Sequence, residues 1–135
     1  MTTGYMYHES FAWHDTGSFV GDMASDITIG LQPYHNWEHA DTKRRIHELI
    51  VVSGLVNHLK RIEPRDATEA ELRLVHTQRH IDFIKSQSLL RHGGDAGDLT
   101  TPFGKGGYGI FVKSVGGVLA MVDALMAGEI KNGYA

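Results

Sequence analysis

The chain has 135 residues, 13 Lys+Arg against 16 Asp+Glu, and a formal net charge of -3. That length suits one domain or one piece of a larger domain, and the mild acidic balance gives no general pull toward nucleic acid or an anionic membrane. With no cysteine there can be no disulfide, thiolate nucleophile or cysteine-ligated zinc, and 41% hydrophobic against 21% charged residues marks a folded chain.

The N-terminus, MTTGYMYHES, lacks the basic and apolar blocks of a secretory signal. No apolar run in the sequence reads as the ~18 residues of a membrane span. A soluble, cytoplasmic protein without membrane attachment is the expectation. Thr3 to His8 predicts a short aromatic-rich strand. Ser10 to Pro33 carries three glycines and many small polar residues and predicts a long irregular connection, of the kind that tends to be functional.

Asp41 predicts a helix start as N-cap, with Ile46, Leu49 and Ile50 at helical spacing and Gly54 as C-cap. Leu59 to Ile62 predicts a second short strand, closed by Pro64. Thr68 and Glu71 form a capping-box pattern for a helix holding Leu72 and Val75. A further helix from about Thr77 holds Ile81, Phe83 and Ile84. The last helix is predicted over Tyr108–Met126, with Ile110, Val115, Val118, Val122 and Leu125 as its apolar face. Gly116-Gly117 in mid-helix costs roughly 1 kcal/mol per glycine, which close packing against another element would offset. Gly128 caps the end, Asn132-Gly133 is predicted as a turn, and Gly133-Tyr134-Ala135 as the start of a buried strand. The alternation of strands and helices predicts an α/β fold with a mainly parallel sheet. A final strand that the sequence does not continue suggests the N-terminal part of a larger domain.

Nine histidines invite a metal reading. His35 and His39 are four apart, as are His76 and His80, but neither pair carries the Glu of an H-E-x-x-H motif, so both read as structural. Gly104 to Gly109 matches G-x-G-x-x-G, with Glu129 beyond it. No strand is predicted before Gly104, and Glu129 follows a helix, so a dinucleotide site is not supported. Asp95 and Asp98 sit in a glycine-rich loop with Thr100 and Thr101. They read either as turn chemistry or as an exposed rim carboxylate placed to accept hydrogen bonds from a ligand's N–H groups. Lys43-Arg44-Arg45 at a helix start opposes the positive end of the dipole, so one cation is expected to turn to a specific partner.

The segments TGYMYHESFAWHDTG, QPYHNWEHADTKRRIHELIVVSGL, VHTQRHIDFIKSQS, GGDAGD and GGVLAMVDALMAGEIKNGYA stand in one order. Together they resemble the histone deacetylase superfamily, most closely its bacterial class II-type amidohydrolases. The resemblance covers essentially the whole chain. It implies an arginase/deacetylase-type fold and a zinc-dependent hydrolysis of acetyl amides, on an acetylated lysine peptide or an acetylpolyamine. It places the zinc ligands and catalytic residues beyond Ala135, so no metal or catalytic residue is assigned within the chain. Asp98 would match the rim aspartate that holds the backbone amides of the substrate, and Phe103 would line the entrance beside it. Arg45 would match the arginine of an acetate-release channel, and Pro33 to His39 the first rim loop. A homo-oligomer is expected, without direct nucleic-acid binding. Two rival readings stand beside this one. They are a non-catalytic binding module with an unfinished sheet, and a small nucleotide-binding enzyme resting on the glycine pattern alone.

Overall fold

The computed structural model describes residues 2–17, 28, 30 and 35–135. Most of the predicted Ser10–Pro33 connection, and the Pro33 end of the expected first rim loop, lie outside the described residues. Three strands form a parallel sheet: β1 (Thr2–Tyr5) in the centre, β2 (Lys60–Arg61) on one side and β5 (Ile130–Tyr134) on the other. A separate antiparallel pair, β3 (Gly94–Asp95) and β4 (Pro102–Phe103), closes the glycine-rich loop. The helices are α1 (Asp41–Val52), α2 (Glu69–Leu72), α3 (Gln78–Ser88) and α4 (Gly107–Met126). The expected parallel α/β architecture is therefore present.

Local chemistry explains most of the boundaries. Thr68 and Glu71 complete the predicted capping box at α2, and the Thr77 side chain accepts from the His80 N–H at the start of α3. Gly54 follows α1 with φ 75°, a left-handed turn that favours glycine. Ser88 is buried at the end of α3, and it ties the two main helices together. Its carbonyl accepts from the Gly106 N–H at 2.9 Å and its Oγ from the Tyr108 N–H at 3.1 Å.

Four expectations change. Asp41 is the first residue of α1 rather than its cap, and its carboxylate pairs with Arg44. There it sits favourably against the positive end of the helix dipole. Val75 is exposed, because α2 ends at Leu72 and only Leu72 faces inward. Asn132 and Gly133 are not a turn. They pair with Thr3 and Gly4 inside β5, and the chain reverses earlier, at Gly128. Beyond Ile130 that strand is exposed rather than buried.

The fourth change concerns α4. Val115, Val118 and Val122 are 40–48% exposed, while Gly107, Gly116, Gly117, Met121 and Ala124 make the buried stripe. A β-carbon at Gly116 would collide with the Arg65 carbonyl and lie 2.6 Å from the Ala67 nitrogen. At Gly117 it would lie 2.7 Å from Met6 Cε. The helix thus lies on the chain that leaves β2, as the glycine pair implied. By length and composition α4 is also apolar enough to cross a membrane, contrary to the sequence expectation. In the fold it packs on the sheet and on α3. The core around it holds Met6, Ile62, Met121, Ala124 and Ile130, and a second cluster joins Ala67, Leu72 and Ile81 under Tyr108, Val112 and Leu119.

Gly116→Ala should lower the melting temperature, since the lost contact outweighs the helix-propensity gain of about 1 kcal/mol. Gly109→Ala, whose added β-carbon meets nothing within 4 Å, should hold or raise it. Thermal melts of the two variants check this. Acid titration gives a second prediction. The Arg65 guanidinium, followed by the Thr68 N–H, lowers the Glu71 carboxyl from 4.5 to about 2. A carboxyl depressed in the folded state contributes stability above its ordinary value, and that contribution is lost as pH falls from 4.5 toward 2. Glu71→Gln should flatten the stability profile in that window, measured by urea unfolding at successive pH values.

Candidate functional site

Two features meet at one end of the sheet. The first is the loop between β3 and β4. Gly93 opens it at φ 80°, where a side chain would run into the Phe103 carbonyl. Asp95 then bends back over the loop. Its Oδ1 accepts from the N–H groups of Gly97 (2.6 Å), Asp98 (3.0 Å) and Leu99 (2.9 Å), and its Oδ2 from that of Thr101 (3.0 Å). The Ala96 N–H bonds the Thr101 carbonyl at 3.0 Å. Leu99 is held at φ 64°, a conformation that non-glycine residues adopt at a cost.

Asp98 projects from this loop and is exposed. Its Oδ1 accepts from the Thr100 N–H at 2.9 Å and its Oδ2 from the Thr101 hydroxyl at 2.8 Å. Those bonds, the Thr100 N–H first, hold its carboxyl below the usual range. An ionised carboxylate offers about four acceptor positions, so two remain for an outside donor. Asp95 performs most of the turn chemistry of this loop, and Asp98 leaves acceptor capacity at the surface.

The second feature is a cleft of 380 Å³ at the carboxyl ends of β1 and β5. Parallel sheets commonly bind ligands at that end. Strand alternation sorts β1 and the residues after it: Gly4 and Met6 face α4, while Tyr5 and Tyr7 meet His47 of α1. The Tyr5 hydroxyl lies 2.8 Å from His47 Nδ1, and the Tyr7 ring stacks on the imidazole with centroids 3.9 Å apart. Burial, then the neighbouring Tyr134 and Tyr7, raises the Tyr5 phenol; burial, then Glu9, raises that of Tyr7. The Tyr7 hydroxyl is buried and, among the described residues, has no hydrogen-bond partner. The cleft and the loop share a wall. His14 lines the cleft while its carbonyl accepts the Gly104 N–H at 2.8 Å, and Phe111 lines it while packing edge-on against Phe103 at 5.1 Å.

The predicted residues are distributed unequally over these features. Asp98 is exposed on the loop between β3 and β4. Phe103 does not line an entrance: it is 3% exposed, under Phe111 and against Gly107, because β4 turns it into the core. Arg45 is exposed on α1, whereas Lys43, Ile46 and His47 are the α1 residues that reach the cleft. The other two cations of the run have acidic partners, Lys43 with Glu38 and Arg44 with Asp41 and Glu48. The ring centroids of His35 and His39 lie 5.5 Å apart and those of His76 and His80 5.2 Å apart. Among the described residues no three His, Asp or Glu side chains come together in a metal-binding group. Sequence reasoning missed Tyr5, Tyr7 and His47. The alternation Tyr5-Met6-Tyr7 signalled two faces, but nothing in the sequence set His47 opposite them.

Comparison with known proteins decides the family. The histone deacetylase domain matches residues 36–135. The chain belongs to the histone deacetylase family. It is 32% identical, over 138 aligned residues, to a histone deacetylase-like amidohydrolase of Pseudomonas aeruginosa, covering 98% of this chain and 35% of that protein. The fold is similar to the solved HDA15 HD domain, with a TM-score of 0.76 and 21% identity over 98% of this chain and 34% of that one. The chain spans about a third of the length of these relatives. The sheet and its flanking helices are thus those of a deacetylase-type domain.

Proposed function

We propose that the whole protein carrying this segment is a zinc-dependent amidohydrolase that removes acetyl groups from acetyl-lysine or acetylpolyamine amides. In this reading the segment forms the first part of the domain and supplies its substrate rim. The observation that carries the proposal is Asp98: an exposed, ionised carboxylate on a tied loop, with acceptor capacity left on both oxygens. Such a group suits the amide N–H donors of an acylated peptide, since charge-assisted hydrogen bonds are the strong ones. Among the described residues no three His, Asp or Glu side chains gather into a metal-binding group, and in this reading the zinc ligands lie outside this segment. Arg45 is exposed and, among the described residues, has no acidic partner. In this reading it is the channel cation of the whole protein.

A second reading, a non-catalytic binding module, has one observation in its favour. α1 buries no residue and leaves Leu49 and Val52 64% and 81% exposed. Apolar surface of that kind calls for a covering partner. The two readings separate on hydrolysis. In the whole protein, Asp98→Ala should lower kcat/KM for an acetyl-lysine peptide roughly 10- to 100-fold, through the loss of charge-assisted bonds, while bound zinc stays constant. An unchanged kcat/KM would remove Asp98 from the substrate rim.

A further inference from the structure

Asp98 makes only part of the bonding that shapes its loop. We infer that Asp95 is the positioning residue of this rim: it fixes the backbone from Gly97 to Thr101 and thereby aims the Asp98 carboxylate at the substrate. What Asp98 would grip rests on the deacetylase reading above; the role of Asp95 within the loop rests on geometry alone.

The two aspartates are filled differently. Asp95 accepts four backbone N–H groups, from Gly97, Asp98, Leu99 and Thr101. Three of these bonds crowd onto Oδ1 and one falls on Oδ2, so most of the acceptor capacity of Asp95 is spent inside the loop. Among the described residues Asp98 accepts two bonds, from the Thr100 N–H and the Thr101 hydroxyl. The Asp95 bonds also fall at the points that decide where Asp98 stands. One holds the Asp98 backbone itself. The next holds Leu99, whose φ of 64° needs an outside constraint. The last holds Thr101, whose hydroxyl fixes Asp98 Oδ2. Asp95 is anchored in turn: β3 pairs Asp95 with Pro102. Beside it, Gly94 sits so close to Gln87 of α3 that a β-carbon there would lie 2.6 Å from Gln87 Cβ. A rigid helix, the carboxylate that ties the loop and a substrate-facing carboxylate thus form one chain of contacts. Without Asp95, four N–H donors lose their partner and the loop can relax away from the left-handed turn at Leu99.

The test uses the whole protein with two substrates: an acetyl-lysine peptide, which has backbone amides, and an N-acetylated polyamine, which has none. Asp95→Ala should raise KM for the peptide about tenfold with kcat within about twofold, the pattern of lost uniform binding. The polyamine constants should stay within about twofold. Asp95→Asn keeps one acceptor oxygen and should fall between wild type and alanine. Hydrogen exchange at Gly97 to Thr101 should speed up at least about tenfold in Asp95→Ala while α4 keeps its protection. Equal losses on both substrates, a fall in kcat at constant KM, or exchange that stays slow in the loop would each overturn the inference. Should Asp95→Ala fail to fold, the same comparisons on Asp95→Asn decide. If the wild type cleaves no peptide, the deacetylase reading falls, and loop exchange alone decides the role of Asp95.

Discussion

The structure depends on the closeness of α4 to the sheet. Gly4 of β1 and Gly133 of β5 lie side by side in register, and the sulfur of Met121 rests on both. A β-carbon at Gly4 would come within 2.7 Å of that sulfur, and one at Gly133 would overlap it. Gly116 and Gly117 repeat the arrangement one turn earlier, against the chain that leaves β2 and against Met6. Four glycines on three elements thus set the distance between the layers, and an adaptable thioether fills the space they leave. The helical glycines cost propensity, and burial of Met121, Met6 and Ile130 offsets that cost at about 25 cal/mol per Å² of apolar surface.

That spacing positions the functional end. With Gly4 and Met6 turned to α4, strand alternation sends Tyr5 and Tyr7 to the other face, where His47 receives them. The cleft between α1, α4 and the strand ends follows from this division. The beginning of α4 is fixed by Ser88 and by Phe103 beneath Phe111. The same contacts seat the loop that carries Asp98. The loop is therefore attached to the layer packing rather than floating beside it, and Asp95 ties its backbone from Gly97 to Thr101.

Much of this was legible in the sequence because it rests on local rules. The capping box at Thr68, the Thr77 start of α3, the close glycine pair in α4 and the Gly54 and Gly128 stops are short-range chemistry, and all are present. The parallel α/β class followed from element order. The misses are tertiary. The valines of α4 have helical spacing, yet the buried face was set by how near the backbone must come, and glycine and methionine permit what valine does not. Asn132-Gly133 has turn composition, but β1 offers it a ladder partner. Phe103 follows a polar loop and read as an entrance residue; the pairing of β3 with β4 turns it inward. Asp98 was singled out through family resemblance and loop composition. The contribution of Asp95 could not be read, because four amides converging on one carboxylate is a property of the folded loop.

The most direct test of the central claim is acetate released from an acetyl-lysine peptide by the whole protein, with and without a zinc chelator. The account predicts one acetate per free lysine formed, and loss of that release when zinc is removed and recovery when it is restored. No acetate from the zinc-loaded protein, or release that ignores the chelator, would contradict it.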